Sequence, residues 1–198
     1  MKKTLIITLS VILGVSLILL AAAFGLKTVT ERNAQKEHVK LLEMLLPDGK
    51  DFQKVEYDGE DANIKSIHKA DIGFVIETVT MGYADEITMY IGVNNDGAVT
   101  GLVVREAHET NGLGNQVLTD HVFLSQFLNK SGTFTVGTVG EDAFSSATGT
   151  ASTGDNEISI DGISGATVSS KAVARSVNSA IGYVTGADVE SSATEWGG

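Results

Sequence analysis

The ten residues Asp161–Ser170, with the sequence DGISGATVSS, have the types and spacing to bind an anionic ligand. An acidic residue and glycines precede a Thr and two Ser at the point where a helix is predicted to begin. A helix N-terminus offers unpaired N–H groups and the positive end of the helix dipole, so it binds phosphate readily. Gly165 permits close approach of a ligand to the backbone, and Thr167 places a hydroxyl at the same point. The stretch therefore indicates a phosphate site.

The predicted helix follows from the apolar residues after this stretch. They recur at i, i+4, i+7, i+8 and i+11, which places them on one helical face: Val173, Val177, Ala180, Ile181 and Val184. The stretch Asp161–Ser170 also has a simpler interpretation, in which Thr167 or a neighbouring Ser only caps the helix, because Ser and Thr are common N-cap residues.

A second stretch with a distinctive composition lies upstream, at Glu109-Thr110-Asn111-Gly112-Leu113-Gly114. Taken alone, it is typical of a turn in which two glycines adopt left-handed conformations. A second interpretation is a loop whose backbone N–H groups contact a ligand. The residues of this stretch do not decide between the two.

Together the two stretches resemble the FMN-binding domain family. Members of this family include the G subunit of the Rnf complex and the C subunit of the sodium-pumping NADH:quinone reductase. DGISGATVSS is similar to the flavinylation motif of the family, and ETNGLG is similar to its ETPGLG loop. The two motifs stand in the family's order, behind an apolar N-terminal segment. The resemblance therefore extends over most of the chain.

The resemblance implies a cofactor and the residues that hold it. Thr167 would carry FMN through a phosphoester bond formed by a dedicated flavin transferase, and Gly165, Ala166, Ser169 and Ser170 would surround the phosphate. The hydroxyls of the two Ser residues could instead bond to the first helical turn. Asp161 would bind the metal used by the transferase or brace the turn, and the residues do not separate these roles.

The resemblance also implies that the upstream loop forms a wall of the flavin pocket. Its contributing residues would be Glu109, Thr110, Gly112, Leu113 and Gly114, with Leu113 packed on the ring. Such contacts would set how readily the ring accepts electrons. This chain has Asn111 where the family usually has Pro. Asn does not fix φ as Pro does, so we expect a less rigid loop.

The segment from Thr4 to Leu26 contains no charged residue and predicts a transmembrane helix. At 1.5 Å per residue it would be roughly 34 Å long, enough to cross a bilayer core. Lys2 and Lys3 precede it, so the positive-inside rule favours a cytoplasmic N-terminus and an extracytoplasmic domain. A cleaved signal peptide is the alternative, because Ala21-Ala22-Ala23 resembles a cleavage site.

Composition excludes several classes of function. The chain has no Cys, so disulfides, thiolate metal sites and iron–sulfur clusters are excluded. No metal ligands are predicted either, since the four His are scattered. The net charge of −11 argues against binding to nucleic acid. Redox chemistry in this chain would therefore come from an organic cofactor.

Hydrophobic patterning predicts an α+β fold: an N-terminal transmembrane helix, then an antiparallel sheet with packed helices. Strands are expected at 64–68, 73–81, 86–93, 98–105, 133–136 and 158–160, and a hairpin turn at Asn94-Asn95-Asp96-Gly97. A helical stretch over 28–46 is expected to end at Pro47-Asp48-Gly49, a short helix is expected over 120–130, and a loop or mobile insertion over 137–156. The expected organisation is an anchor at 1–27, a helical stalk and linker at 28–62, an FMN-binding domain at 63–185 and a disordered tail at 186–198.

The resemblance implies an electron-transfer subunit of a membrane-bound, ion-translocating ferredoxin:NAD oxidoreductase complex. Its partners would be the other membrane subunits of an Rnf-type complex and, during maturation, the flavin transferase. Two alternatives fit the residues. One is a free-standing, membrane-anchored flavin reductase that passes electrons to an external acceptor. The other is a membrane-tethered adhesion or assembly domain in which Thr167 only caps a helix.

Overall fold

The structure is a computed structural model that describes residues 33–107, 114–137 and 156–186. The chain divides into two compact units, Met1–Leu41 and Leu42–Gly198. The described part of the first unit is helical, and no helix in the three described stretches is long and apolar enough to cross a membrane. The predicted anchor at 1–27 and the tail after Gly186 lie outside the described residues.

The described residues form four helices and seven strands. Helix α1 covers residues 33–45, and it ends before Pro47-Asp48-Gly49 as predicted. The strands and remaining helices follow in the order β1 (Gln53–Val55), β2 (Ile64–Lys69), β3 (Gly73–Met81), β4 (Glu86–Asn94), β5 (Val99–Ala107), α2 (Gly114–Thr119), α3 (His121–Ser125), β6 (Thr133–Gly137), β7 (Glu157–Asp161) and α4 (Thr167–Thr185).

Strands β1 to β5 form an antiparallel sheet in sequence order, which confirms the predicted α+β class. The predicted hairpin joins β4 to β5, where the Asn94 side chain accepts hydrogen bonds from the N–H groups of Asp96 and Ala98. Gly97 adopts a φ of 79°, a left-handed conformation that favours glycine. Turn chemistry in the sequence therefore determined this connection.

The two faces of the sheet have different coverings. Alternate residues of β3 and β4 on one face, among them Ile76, Met89 and Ile91, are fully buried in the main core. This alternation follows from the period of two along a strand. Helix α4 packs on this face, where the Thr80 hydroxyl donates to Ala172 O at 3.1 Å and lies 2.9 Å from the Ser176 hydroxyl.

On the opposite face, the chain from Leu42 to Leu46 packs against two glycines. Gly92 of β4 and Gly101 of β5 are direct partners across the strands. A Cβ at Gly92 would lie 2.1 Å from Leu45 O, and one at Gly101 would lie 2.9 Å from the same atom. The Thr100 hydroxyl donates to Leu45 O at 2.6 Å. Because neither glycine has a side chain, the end of α1 packs directly against the backbone of the sheet.

A row of polar side chains crosses three strands on this same face. The Ser66 hydroxyl donates to Glu77 Oε2 at 2.6 Å, and the Tyr90 hydroxyl donates to the same carboxylate from β4. Burial of the phenol, together with the charge and the hydrogen bond of Glu77, raises the pKa of Tyr90 to about 12. The native fold therefore favours the neutral phenol more strongly than the unfolded chain does.

This shift predicts a loss of stability at high pH. Because the pKa of Tyr90 is raised in the native state, its contribution is complete below pH 10, the ordinary pKa of tyrosine, and declines as pH rises toward about 12. We expect Tyr90→Phe to reduce the decline in unfolding free energy over this interval, measured by urea denaturation at several pH values. The control is Tyr83→Phe, since Tyr83 is 69% exposed. An unchanged decline in Tyr90→Phe would contradict the assignment.

Strands β6 and β7 form a separate two-stranded parallel sheet, which the sequence did not indicate. Asn178 of α4 fastens β6 to the helix: its Oδ1 accepts from Phe134 N at 2.8 Å, and its Nδ2 donates to Phe134 O at 2.9 Å. Asn178 and Phe134 are both buried. One side-chain amide thus takes the place of a neighbouring strand at Phe134.

Three local predictions differ from the structure. The segment 28–62, expected as stalk and linker, contains β1, which pairs with β2. The helix expected over 120–130 is shorter, since α3 ends at Ser125 and turns follow. Helix α2 was not predicted, because its six residues are too few to show a helical period. The predicted loop at 137–156 lies almost wholly outside the described residues.

Candidate functional site

The candidate site lies at the N-terminal end of α4. Phe74, near the start of β3, packs edge-on against Tyr183 near the end of α4, with ring centroids 5.6 Å apart. Thr80, near the end of β3, bonds to Ala172 and Ser176 in the first part of the helix. Helix α4 therefore runs antiparallel to β3, and its N-terminus points to the end of the sheet where β3 ends.

The turn that leads into α4 is closed by three hydrogen bonds. Ala166 N donates to Ile163 O at 2.9 Å, Ile163 N donates to the Ser170 hydroxyl at 3.2 Å, and that hydroxyl donates to Ala166 O at 3.0 Å. Gly165 is exposed and has a φ of 81°, a left-handed conformation that favours glycine. The left-handed backbone at this position thus accounts for the Gly in the motif, in addition to its predicted role in ligand binding.

Thr167 is the first residue of α4 and is partly exposed. The N-cap residue is Ala166, and it makes no side-chain cap hydrogen bond. The interpretation of Thr167 as an ordinary helix cap is therefore wrong. A helix start without a side-chain cap leaves its N-terminal dipole available to an anion, and the Thr167 hydroxyl stands at that position.

The two predicted Ser residues are buried. Ser169 and Ser170 are 1% and 0% exposed. The Ser170 hydroxyl bonds to the first helical turn, which is the second of the two roles considered for it. The structure therefore places Thr167 and Gly165 at the surface of the site, with Ala166 and the two Ser residues beneath it.

The upstream motif leads to the same end of the sheet. Ala107, the last residue of β5, pairs with Ile87 of β4, and Ile87 pairs with Thr80, which bonds to α4. Gly114 begins α2, which contacts α4, and it is buried. The other predicted residues of this motif lie outside the described residues: Glu109, Thr110, Gly112 and Leu113.

An arginine fixes the neighbouring hairpin to α4. Arg175 Nη2 donates to Met81 O, at the end of β3, at 2.7 Å. Burial lowers the pKa of this guanidinium below its usual value. The contact holds the β3–β4 turn beside the helix, with Met81 itself 60% exposed.

Two residues that support this site were not identified from the sequence. Asn178 lies 11 positions after Thr167, about three turns along the helix, so the two residues share a face. Its bonds to Phe134 fix the rotation of α4, and with it the direction of Thr167. The run of small and polar residues in α4 could have indicated burial on several sides.

The second residue is Gln126, just after α3. Its Oε1 accepts from Asp161 N at 2.9 Å, and its Nε2 donates to Asp161 O at 3.1 Å. Nothing in the sequence around Gln126 indicates this contact, because it joins residues 35 positions apart.

The described residues at the site suit a phosphate better than a metal ion. Within the described ranges, no group of three or more His, Asp or Glu residues could hold a metal. The donor set is instead an uncapped helix start, a left-handed Gly and a hydroxyl. These groups fit the phosphate of a nucleotide cofactor.

Sequence comparison agrees with this class of ligand. Residues 82–182 match the FMN-binding domain family, a span that includes the β3–β4 turn, the upstream motif and most of α4. The chain belongs to this family. Family membership supports FMN as the cofactor and confirms the resemblance seen in the two motifs.

Two relatives are named as subunits of ion-translocating complexes. The chain is 34% identical over 111 residues to the G subunit of the Na⁺-translocating ferredoxin:NAD⁺ oxidoreductase complex of Acetobacterium woodii, an alignment that covers 56% of this chain and 48% of the relative. It is 28% identical over 191 residues to the G subunit of the ion-translocating oxidoreductase complex of Methanosarcina acetivorans, with 91% and 93% covered. The chain thus matches about half the length of the first relative and nearly all of the second.

Two solved structures show a distant likeness. The C subunit of the Na⁺-translocating NADH-quinone reductase from Parabacteroides distasonis has 21% identity and a TM-score of 0.49, with 76% of this chain and 81% of that chain covered. NqrC from Shewanella oneidensis has 18% identity and a TM-score of 0.45, with 73% of each chain covered.

Proposed function

We propose that this chain is the electron-transfer subunit of a membrane-bound, ion-translocating ferredoxin:NAD oxidoreductase complex. It carries FMN linked covalently to Thr167, on the extracytoplasmic side of the membrane. The observation that carries the proposal is the start of α4, where Thr167 lies two residues after the left-handed Gly165 and the N-cap residue Ala166 makes no side-chain cap hydrogen bond. The names of the two relatives supply the kind of complex.

The residues of the site would hold FMN by its phosphate. The first turn of α4 presents backbone N–H groups and a positive dipole end, which stabilise a phosphodiester anion. Gly165 lets the phosphate approach the backbone, and Thr167 Oγ1 provides the point of attachment. When bound, FMN supplies the ability to accept and release electrons.

The attachment step requires an activated flavin donor, because a phosphoester does not form spontaneously from a hydroxyl and a phosphate in water. We propose a flavin dinucleotide as donor. A P–O bond of its diphosphate breaks, a bond forms between Thr167 Oγ1 and the flavin phosphorus, and a nucleoside monophosphate leaves. The hydroxyl proton passes to a base of the flavin transferase. No electrons are exchanged in this step.

A covalent link suits the proposed location. A cofactor held only by contacts would be lost from the extracytoplasmic side, where no synthesis replaces it. The apolar segment at 4–26 would anchor the chain, and the positive charges of Lys2 and Lys3 favour a cytoplasmic N-terminus. The acidic domain would then be held at the membrane by its helix and by the other subunits of the complex.

The chemistry that this chain could perform alone, outside such a complex, follows from the residues it contains. It has no Cys for iron–sulfur clusters, and its glycine-rich stretches lack a nucleotide-binding fingerprint. We therefore expect the purified, flavinylated chain to show flavin redox chemistry without turnover of NADH or ferredoxin. Sustained turnover by the isolated chain would favour the free-standing reductase instead.

Thr167→Ala is expected to abolish covalent FMN, whereas Thr167→Ser retains it, because Ser keeps the hydroxyl at the helix start. Each variant is co-expressed with a flavin transferase, and covalent flavin is detected by fluorescence in a denaturing gel. The matched control is Thr185→Ala, at the other end of α4, which should fluoresce like the wild type. A dark wild-type band beside an active transferase would refute the proposed function.

A further inference from the structure

We propose that Gln126 is a positioning residue of the flavin attachment site. It binds the backbone of Asp161 and so fixes the start of the turn that presents Thr167 to the flavin transferase. This inference rests on the proposed function. It concerns a residue outside both sequence motifs, 35 positions before Asp161 in the chain.

The backbone that carries Gln126 is itself firmly held. Asp120 caps the start of α3, where its Oδ1 accepts from Val122 N at 2.8 Å and from Phe123 N at 3.1 Å. Phe123 and Phe127 are 2% and 0% exposed, and their rings meet edge to face with centroids 5.5 Å apart. Residue 126 therefore stands on a segment anchored in the core on both sides.

Gln126 binds Asp161 on the edge of β7 that β6 does not use. The next residue, Gly162, donates from its N–H to Gly137 O of β6 at 3.1 Å. The N–H and C=O of Asp161 point the other way and meet the Gln126 amide at 2.9 and 3.1 Å. The side-chain amide thus replaces a third strand at the last residue of β7.

The support that Gln126 gives to Asp161 affects Thr167 through a short turn. Asp161 is fixed at one end by Gln126, and the Ser170 hydroxyl fixes Ile163 and Ala166 at the other. Thr167 follows Ala166 directly, so the position of its hydroxyl depends on both supports. The Asp161 residue itself is exposed, so with its backbone held the carboxylate is presented at the surface beside this turn.

Loss of the Gln126 amide should therefore lower the rate of FMN attachment in a chain that still folds. Gln126 makes two exposed hydrogen bonds, and two bonds toward the weaker end of the ordinary range correspond to about a tenfold change in a rate or binding constant. We expect Gln126→Ala to lower kcat/KM of the transferase for the full-length chain by about tenfold. The rate is measured as the initial appearance of gel fluorescence, with flavin dinucleotide as donor, at a temperature where the variant is folded by circular dichroism.

The matched control is Ser125→Ala. It removes a hydrogen bond within α3, from the Ser125 hydroxyl to Val122 O at 2.9 Å, in the residue next to Gln126. It should be labelled at the wild-type rate. Equal slowing in Ser125→Ala and Gln126→Ala would mean that any weakening of α3 has this effect, and it would overturn the specific role of Gln126.

A second variant tests the geometry through pH. In Gln126→Glu, an ionised carboxylate still accepts from Asp161 N but faces Asp161 O with no proton to donate. When protonated, the carboxyl can make both bonds. The labelling rate of Gln126→Glu relative to wild type should therefore rise as pH falls toward about 4 to 5. A ratio independent of pH would overturn the proposal, even if Gln126→Ala fails to fold.

A readout without flavin completes the test. Amide hydrogen exchange at Asp161 and Ile163 should be faster in Gln126→Ala than in wild type, while exchange in α1 is unchanged. The outcomes separate the two proposals. If the wild type is labelled and Thr167→Ala is not, but Gln126→Ala is labelled at the wild-type rate, only the role of Gln126 fails. If the wild type is not labelled at all, the proposed function fails, and the exchange data still decide whether Gln126 holds the turn.

Discussion

Asn178→Ala is expected to lower the free energy of unfolding by about 3 kcal/mol. The side-chain amide of Asn178 makes two hydrogen bonds to the backbone of Phe134, at 2.8 and 2.9 Å. Asn178 is 8% exposed and Phe134 is 2% exposed, so water does not readily replace the amide. Each backbone group left without a partner costs about 1–3 kcal/mol.

The measurement is urea denaturation of the full-length chain, in which the midpoint should fall while the m-value is unchanged. The matched control is Asn95→Ala. The Asn95 amide makes an exposed hydrogen bond to Asp71 O at 3.4 Å, and its loss should cost about 0.5 kcal/mol or less. Equal losses in the two variants would contradict the role assigned to the Asn178 amide.

This contact matters for the site as well as for stability. Asn178 and Thr167 share a face of α4, so the Asn178–Phe134 bonds fix the rotation of the helix that carries Thr167. Asn178 at β6 and Gln126 at β7 act on the two outer edges of the same small sheet. We infer that this sheet supports the turn before Thr167, the proposed attachment residue.

Gly92→Val is the second change with a large expected effect, a loss of about 3 kcal/mol or more in unfolding free energy. A Cβ at Gly92 would lie 2.1 Å from Leu45 O and 2.7 Å from Leu45 C, and both are backbone atoms. Rotation of a side chain cannot relieve this overlap. The segment must shift, and Leu42, Leu45 and Leu46, which are 0–3% exposed, would lose part of their burial.

Thermal and urea denaturation measure the loss, and trypsin cleavage after Lys50 reports whether the segment detaches. The matched control is Thr100→Val, which keeps the side-chain shape and removes only the 2.6 Å hydrogen bond to Leu45 O. It should cost about 1 kcal/mol. A Gly92→Val protein as stable and as resistant to trypsin as wild type would show that the close approach of Leu45 is dispensable.

The sequence by itself determined the elements that depend on neighbouring residues. Strand β3 was predicted with the bounds it has, because its apolar and β-branched residues are typical of a strand. The Asn94–Gly97 turn and the end of α1 before Pro47 depend on local backbone preferences. The motif Asp161–Ser170 was visible as well, since Gly165 and Thr167 are adjacent to the start of α4.

Only the tertiary structure decided how that motif is supported and how the end of α1 is held against the sheet. The Gln126–Asp161, Asn178–Phe134 and Thr100–Leu45 contacts join residues 35, 44 and 55 positions apart. Each joins one side chain to the backbone through one or two hydrogen bonds, and such a contact leaves no periodic pattern in the sequence. The parallel pairing of β6 with β7 was not visible in the sequence either, because strand pairing depends on where the packed core places two short segments.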